Sequence, residues 1–277
     1  MLKELYKHLE ALKKICSKDP SLWNIVGYEI GWMTYPEYLN FLNRTSPIYH
    51  LKKFQTEIYF KYINPFLKNL RKGSKILDLG CGIGRFSIPL AKRGFQVVAL
   101  DGCKSNLAIL KALVKEKNIK IKLIHKMLHE LTEFKNDEFD AILAIESICY
   151  TKHYKKVLDE MYRITKNKGI WIISVENFLP SLISSVDIKT TSQIHRVIQR
   201  KELEIPFSCY VKYFDKKFIV KLISRYCCVE LVKTIFFTYD GIFEKFTSKQ
   251  LEEKLEKVKD FEELGRAILI IGKVLKN

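Results

Sequence analysis

The feature that most constrains this chain is the stretch of residues 75–101, which reads as strand, glycine loop, helix, turn and strand. Its two ends, around Ile76 and Val97, are short apolar runs, as expected of parallel strands that are covered on both faces. Between them, apolar residues repeat at helical spacing until Gly94, which suits the end of a helix. This unit predicts an α/β fold built on a parallel sheet.

A glycine loop follows the first strand, with glycines at positions 80, 82 and 84. Backbone without side chains can pass close beneath a ligand. Asp101 ends the second strand about twenty residues after the first glycine, where a carboxylate can accept hydrogen bonds from both hydroxyls of a ribose. The loop and the carboxylate together predict a site for a nucleoside-containing ligand.

The charge beside the loop indicates which nucleoside fits. A dinucleotide-binding loop needs glycine at position 85, where this chain has Arg85. Asp78 lies two residues before Gly80, and its charge would repel a pyrophosphate but attract an ammonium or a sulfonium group. The sequence therefore predicts a nucleoside ligand with a cationic part.

This stretch resembles motif I of the class I S-adenosylmethionine-dependent methyltransferases, whose pattern is acidic-x-Gly-x-Gly-x-Gly. The pattern is met by Asp78, Gly80, Gly82 and Gly84. The resemblance implies that the cofactor is S-adenosylmethionine, that Asp78 serves its methionine end and that Asp101 holds its ribose. It also implies close approach of the glycines to the cofactor.

The resemblance continues beyond the loop. Residues 136–145 resemble the Phe-Asp pair and fourth strand of the family, and residues 160–169 resemble its arginine-bearing helix and lysine-glycine turn. The implied fold is a doubly wound α/β sheet of seven mostly parallel strands, the last of them antiparallel, with helices on both faces. A final apolar run at residues 267–274 suits that last strand.

Ligands of open α/β sheets bind outside the carboxyl ends of the strands. The predicted cofactor-binding residues are Asp78, Gly80, Cys81, Gly82, Gly84, Asp101, Gly102, Met127, Leu128, Ala144 and Ile145. After the third strand the family often has Gly-Asp, whose carboxylate accepts a hydrogen bond from adenine, but this chain has Lys126-Met127-Leu128. Two alternatives for adenine recognition are therefore open: Met127 and Leu128 pack on the ring, or His129 or Glu130 replaces the missing carboxylate.

The chain divides into a predicted N-terminal helical cap, residues 1–72, and a catalytic domain, residues 73–277. The domain contains an aperiodic segment near residues 178–213 that predicts a substrate-loop insertion. The cap is dense in aromatic residues, which suit a sulfonium or an amine acceptor through cation–π attraction, although ordinary core packing explains them equally well. The predicted substrate-contacting residues are Tyr28, Trp32, Tyr35, Tyr49 and Glu176.

Methyl transfer is an in-line displacement that needs positioning more than elaborate machinery. The titratable residues that follow the fourth strand are Glu146, Tyr150 and His153, so they are candidates for a general base, with surface or hydrogen-bonding roles as the alternative. The fourth strand lacks the Asn-Pro-Pro-Tyr motif of base and amide methyltransferases. No metal-ligand spacing is present, and we expect metal-independent transfer.

Composition indicates a cellular location but does not identify the methyl acceptor. Seven cysteines without a CxxC pair predict free thiols and a cytoplasmic location, and no apolar run is long enough to cross a bilayer. The leading hypothesis is a methyltransferase that acts on a small molecule or a short peptide. A net charge of +17 keeps an RNA or protein methyltransferase as the alternative, beside a non-catalytic nucleoside-binding scaffold. Aminopropyl transfer is disfavoured by Asp78, and the oligomeric state is open.

Overall fold

The computed structural model describes residues 10–11, 13–34, 42–180, 190–205, 208–237, 249–259 and 263–276. The strands are β1 (Lys75–Leu79), β2 (Gln96–Asp101), β3 (Lys122–His125), β4 (Phe139–Ile145), β5 (Thr165–Glu176), β6 (Glu202–Ile205), β7 (Cys209–Lys212), β8 (Cys227–Ile235) and β9 (Ala267–Val274). The helices are α1 (Leu22–Thr34), α2 (Pro47–Leu67), α3 (Ser87–Lys92), α4 (Lys104–Glu116), α5 (Tyr154–Ile164), α6 (Thr191–Arg200), α7 (Lys216–Ile223) and α8 (Lys249–Leu255).

Seven strands form one sheet in the order β3-β2-β1-β4-β5-β9-β8. Neighbours from β3 to β5 pair in parallel, and β9 is antiparallel to both β5 and β8. The predicted seven-stranded sheet with an antiparallel last strand is therefore confirmed. Strand order reverses between β1 and β4, and the carboxyl ends of strands at such a switch point form the crevice where open α/β sheets bind ligands.

The core lies on both faces of this sheet because the central strands are apolar on both sides. Along β5, Trp171 and Ile173 pack on one face with α5 and α7, whereas Ile170 and Ile172 pack on the other face with α2 and α3. Helix α4 packs on β2 through a smaller cluster around Leu110. No helix within the described residues is both long and apolar enough to cross a membrane.

Pro65 does not divide α2, because this proline lies in the last turn and the helix ends at Leu67. The segment 178–213, expected to be irregular, contains α6 and the antiparallel pair β6 and β7. Helix α6 begins with a capping box between Thr190 and Gln193, and strands of four residues are too short to show a clear period. The spacing of apolar residues predicts a helix over residues 1–16, which lies mostly outside the described residues; at this end of the described chain, residues 10–11 and 13–18 are helical.

Candidate functional site

The glycine loop connects β1 to α3 and is tied to the neighbouring strand. The backbone N–H groups of Gly80 and Cys81 both donate to the carbonyl of Leu100, at 2.8 and 2.9 Å. Gly80 has φ of +80°, and a Cβ there would lie 2.5 Å from the Cβ of Ser147. Gly82 has φ of +52°, and a Cβ there would meet nothing within 4 Å. The backbone at Gly82 therefore faces open space, which is the property that a ligand-cradling loop needs.

Asp101 holds this loop from the end of β2. Its Oδ2 accepts a hydrogen bond from the backbone N–H of Gly82 at 2.8 Å, and its Oδ1 accepts one from Cys103 at 2.8 Å. The side chain is buried. Burial raises the pKa of Asp101, although these hydrogen bonds act in the opposite direction. Oδ1 also accepts a hydrogen bond from the side-chain amide of Asn106 at 3.4 Å, so Oδ2 is the oxygen with a second lone pair that a ligand hydroxyl could use.

Asp78 lies at the end of the neighbouring strand, β1, and is 2% exposed. It accepts a hydrogen bond from the hydroxyl of Ser87 in α3. Burial raises the pKa of Asp78 to about 6. Within the described residues, neither Asp78 nor Asp101 is part of an ion pair. Two buried carboxylates that form no ion pair with the described residues therefore lie at the ends of the neighbouring strands β1 and β2, and they favour a ligand that supplies positive charge.

Helix α1 covers the part of this groove next to β2 and β3. A Cβ on Gly102 would lie 2.8 Å from Cδ1 of Ile25 and 3.0 Å from Sδ of Met127, so these side chains close over the loop after β2. The carboxylate of Glu29 accepts hydrogen bonds from the first backbone N–H groups of α4, at 2.7 Å for Lys104. Such a contact satisfies groups that a helix start leaves unpaired.

A second set of charged groups lies where β4 and β5 end. Glu146 directly follows β4 with φ of +49°, and its carboxylate accepts hydrogen bonds from Nη2 of Arg85 at 3.1 Å and from the hydroxyl of Tyr59 at 3.2 Å. Burial alone would raise the pKa of Glu146, but the charge of Arg85 lowers it to about 2. The last residue of β5, Glu176, is buried and pairs with Arg266 at 3.0 Å.

The three residues predicted as catalytic differ in their surroundings. The hydroxyl of Tyr150 donates to Glu176 at 3.4 Å, so it shares this edge with Glu146, and burial and the charge of Glu176 raise the pKa of Tyr150. His153 instead binds the carboxylate of Asp19 through Nε2, at 3.0 Å, and its ring lies 4.3 Å from that of His129. Within the described residues, no three His, Cys, Asp or Glu side chains come together as metal ligands would.

The remaining predicted residues are spread along the groove and the cap. Leu128 lies 3.6 Å from a Cβ built on Gly80, and Ala144 and Ile145 are the buried last residues of β4. Tyr28 on α1 is 45% exposed, and the half-buried Tyr49 on α2 makes an edge contact with His50. Trp32 belongs to α1, but its side chain, like the whole of Tyr35, lies outside the described residues.

Sequence reasoning missed several residues of the site. Tyr59 and Gln55 project from α2 to the ends of β4 and the glycine loop, and the helix shows no pattern that separates them from core positions. Ile25 is one apolar residue among many in the cap. Arg85 was noted only as the residue that excludes a dinucleotide loop, although a charged side chain directly after the third glycine was a usable signal.

Comparison with known proteins agrees with this geometry. Residues 77–173 match a family model described as a methyltransferase domain. The ubiquinone biosynthesis O-methyltransferase of Rickettsia canadensis is 34% identical over 103 residues, which are 37% of this chain and 43% of that protein. The enzyme of the same name from Rickettsia felis is 29% identical over 171 residues, 62% of this chain and 61% of that one. The chain thus matches less than two thirds of the length of these relatives.

Solved structures share the fold at low sequence identity. A protein from Pyrococcus horikoshii superposes with a TM-score of 0.59 at 19% identity, covering 87% of this chain and 99% of its own. An S-adenosylmethionine-dependent methyltransferase from Methanosarcina mazei gives a TM-score of 0.57 at 14% identity, covering 77% and 98%. Motif, sheet order and domain match agree: residues 77–173 match the methyltransferase-domain family, and the predicted resemblance to the class I, Rossmann-like methyltransferases, which use S-adenosylmethionine as cofactor, is confirmed.

Proposed function

We propose that this chain is a methyltransferase that transfers the methyl group of S-adenosylmethionine to an acceptor atom of a small molecule. The observation that carries the proposal is the pair of buried carboxylates, Asp78 and Asp101, which form no ion pair with the described residues and lie at the ends of β1 and β2, the two strands joined by the loop with the open backbone at Gly82. The name of the Rickettsia relatives supports an oxygen atom as acceptor. A short peptide with a hydroxyl group would offer the same kind of acceptor atom, an oxygen.

The cofactor would lie across the carboxyl ends of β1 and β2. Asp101 would accept hydrogen bonds from the ribose hydroxyls, and Asp78 would face the cationic methionine end. Met127 and Leu128 would pack against the adenine, and the backbone at the end of β4, residues 144–145, would line the sulfur side. The remaining predicted residues, Gly80, Cys81, Gly84 and Gly102, would shape the floor of the groove.

When bound, S-adenosylmethionine supplies a methyl group on a positively charged sulfur, which makes that carbon electrophilic. The contribution of the protein would be to hold the acceptor atom about 3 to 3.5 Å from this carbon and in line with the sulfur. Glu146, with a pKa of about 2, is a weak base that we assign to positioning Arg85 and Tyr59. Tyr150, whose pKa is raised, would act as a hydrogen-bond donor to the acceptor or to Glu176.

An acceptor hydroxyl would need to lose a proton, and we assign this step to His153. The carboxylate of Asp19 binds Nε2 of His153, and this contact leaves Nδ1 as the nitrogen that can accept a proton. The test compares the rate of methyl transfer by His153→Gln with that of wild type, using a hydroxylated aromatic acceptor and S-adenosylhomocysteine binding as the control for the cofactor site. A fall in kcat of about 100-fold or more at unchanged S-adenosylhomocysteine affinity supports the assignment, and an unchanged kcat refutes it.

Residues 1–72 would serve as a cap over the cofactor. The contacts of Ile25 with Gly102 and of Glu29 with α4 support this role, since α1 would have to stay docked for the nucleoside to be enclosed. Tyr28, Trp32, Tyr35 and Tyr49 would then face the acceptor from the cap, and Glu176 from β5. We also propose a cytoplasmic location, which all seven cysteines as free thiols support; cell fractionation would test it.

Calorimetric titration with S-adenosylhomocysteine tests the proposed function. Wild type should bind it, and Asp101→Ala should weaken binding at least tenfold, because two hydroxyl hydrogen bonds to a charged acceptor are lost. Asp140→Ala is the matched control: this carboxylate lies at the start of β4, where it binds the backbone of Lys75 and the ammonium group of Lys166. Absence of binding to wild type, or equal affinities for all three proteins, would refute the proposal.

A further inference from the structure

One side chain of α2 has a buried hydrogen-bonding group without a partner. Gln55 is fully buried, and its Oε1 accepts a hydrogen bond from Nη1 of Arg85 at 3.4 Å. A guanidinium group only donates, so the amide must present its oxygen to Arg85 and keep its nitrogen as a donor. That nitrogen makes no hydrogen bond with any residue that the structure describes. Buried donors of this kind are rare in folded proteins and indicate a missing partner.

Arg85 has donor capacity left beside this amide. Its Nη2 pairs with Glu146 at 3.1 Å, and its guanidinium group lies over the rings of Phe86 and Tyr59, at 4.8 and 5.5 Å from their centres. Each terminal nitrogen of a guanidinium carries two N–H groups. Nη1 uses one of them in the long contact with Gln55, so another remains for an acceptor. The unused donors of Arg85 and Gln55 lie on two side chains that contact each other, so one acceptor group in the space beside them could use both.

This space belongs to the methionine end of the groove. Arg85 directly follows Gly84, and its charge reaches Asp78, where it opposes the effect of burial on the pKa of that carboxyl. Ser147 lies on the other side of the loop, against Gly80, and its buried hydroxyl also lacks a partner among the described residues. An anionic carboxylate acceptor on one side and a cationic guanidinium group on the other suit a zwitterion, the form of an amino acid at neutral pH.

We propose that Arg85 and Gln55 bind the α-carboxylate of the methionine part of the cofactor, while Asp78 attracts its α-ammonium group. This inference rests on the proposed function and deepens it. The guanidinium group of Arg85 donates from Nη1 and the amide of Gln55 donates from Nε2, so the carboxylate receives two hydrogen bonds, one of them charged. The consequence is selectivity for S-adenosylmethionine over its decarboxylated form, which serves aminopropyl transfer, and over nucleoside thioethers without an amino-acid end.

The test compares two ligands that differ only in the carboxylate. S-adenosylhomocysteine and its decarboxylated analogue, S-adenosyl-3-thiopropylamine, are titrated into wild type by calorimetry at pH 7.5. Wild type should prefer S-adenosylhomocysteine by about 10- to 100-fold, the range expected for hydrogen bonds to a charged group. Gln55→Leu, which preserves the pair of Arg85 with Glu146, should reduce this preference several-fold by weakening only the ligand that has the carboxylate.

Two further variants complete the comparison. Arg85→Lys keeps the charge but loses the two-pronged geometry, so it should also reduce the preference. Arg93→Lys is the matched control, because Arg93 stacks on Phe60 of the same helix α2 and binds Asn64 at 2.7 Å without contacting the loop. Its preference should equal that of wild type. Thermal unfolding of each variant shows that it is folded, and Gln55→Leu alone decides the question if Arg85→Lys does not fold.

The outcomes separate this inference from the function on which it rests. Binding of S-adenosylhomocysteine without preference over the decarboxylated analogue, or an equal loss of affinity for both ligands in Gln55→Leu, overturns the inference and leaves the proposed function standing. No binding of either ligand to wild type overturns both. A preference that falls in Gln55→Leu and Arg85→Lys but not in Arg93→Lys supports the assignment.

Discussion

Cofactor binding should be coupled to the ionisation of Asp78. Burial raises the pKa of this carboxyl from 3.8 to about 6, so the empty site holds it protonated in mildly acidic solution. An ammonium group beside Asp78 would require the ionised form. Below pH 6 the ligand must therefore displace a proton, and the apparent dissociation constant should be about tenfold larger at pH 5 than at pH 7.

Ligand affinity should fall as pH falls, whereas the stability of the empty protein should rise. The folded pKa of Asp78 is raised above the unfolded value, so the folded state binds the proton more tightly, and stability increases as pH falls from about 6 to about 4. A difference of this size corresponds to about 3 kcal/mol, since each tenfold change in proton affinity is about 1.4 kcal/mol. Ionised Asp78 thus destabilises the empty fold near neutral pH by about that amount.

Calorimetric titration with S-adenosylhomocysteine between pH 5 and 8, in two buffers of different ionisation enthalpy, measures both the affinity and the proton released. Asp78→Asn should bind more weakly, with an affinity that no longer changes between pH 5 and 7.5, and urea unfolding should show it more stable than wild type at pH 7.5 but not at pH 4. Ser87→Ala removes a hydrogen bond that lowers the pKa of Asp78, so the midpoint should move to higher pH. A wild-type affinity that is independent of pH would refute the coupling.

Three further predictions address the loop, the ion pair and the cap. Gly82→Ala should cost only about 1 to 2 kcal/mol of stability, because its Cβ meets open space and only the left-handed φ is unfavourable. The same Cβ should weaken S-adenosylhomocysteine binding at least tenfold. Equal affinity for the variant and wild type would contradict the open backbone as the ligand surface. Glu146→Gln should lower the free energy of unfolding at pH 7 by about 3 kcal/mol, because the folded pKa of Glu146, about 2, lies below the ordinary 4.5. In urea unfolding, this difference from wild type should disappear as pH falls from 4.5 to 2. A difference that persists at pH 2 would contradict the ion pair as its cause. Asn24→Ala removes the amide that donates to the backbone carbonyls of Tyr150 and Tyr210, so limited proteolysis within residues 13–34 should become faster. Added S-adenosylhomocysteine should slow this cleavage. A cleavage rate equal to that of wild type would contradict docking of α1 by this amide.

The part of the site that could be predicted is the part encoded locally. The loop glycines, Asp78 and Asp101 lie within one strand, helix, strand unit, where backbone geometry and residue type determine each other. The same holds for the mostly parallel sheet, because strands joined by crossover helices allow few topologies. These features needed no knowledge of distant contacts.

The residues that could not be predicted act across long separations in sequence. Gln55 contacts Arg85 thirty positions away, and Tyr59 contacts Glu146 eighty-seven positions away. The apolar pattern of the helix already explains Tyr59 as a core residue, and a single glutamine gives no sign that it is buried at the site. Their function depends on how α2 rotates against the sheet, and side-chain packing decides that rotation. The sequence predicts an irregular segment at residues 178–213 for a related reason: β6 and β7 become strands by pairing with each other, and neither has a clear strand pattern of its own.

The charges of the groove indicate why an empty site of this kind is stable enough to persist. Glu146 and Arg85 form an ion pair at the end of β4, whereas Asp78 and Asp101 form no ion pair with the described residues. Hydrogen bonds from the loop, α3 and α4 and the more distant charges of Arg85 and His125 offset only part of the effect of their burial. The protein therefore carries an unfavourable concentration of negative charge where a cationic ligand is needed. This negative charge becomes favourable only when a cationic ligand binds. The two carboxylates that weaken the empty fold therefore also give affinity for the sulfonium nucleoside, and replacing either one should reduce both effects.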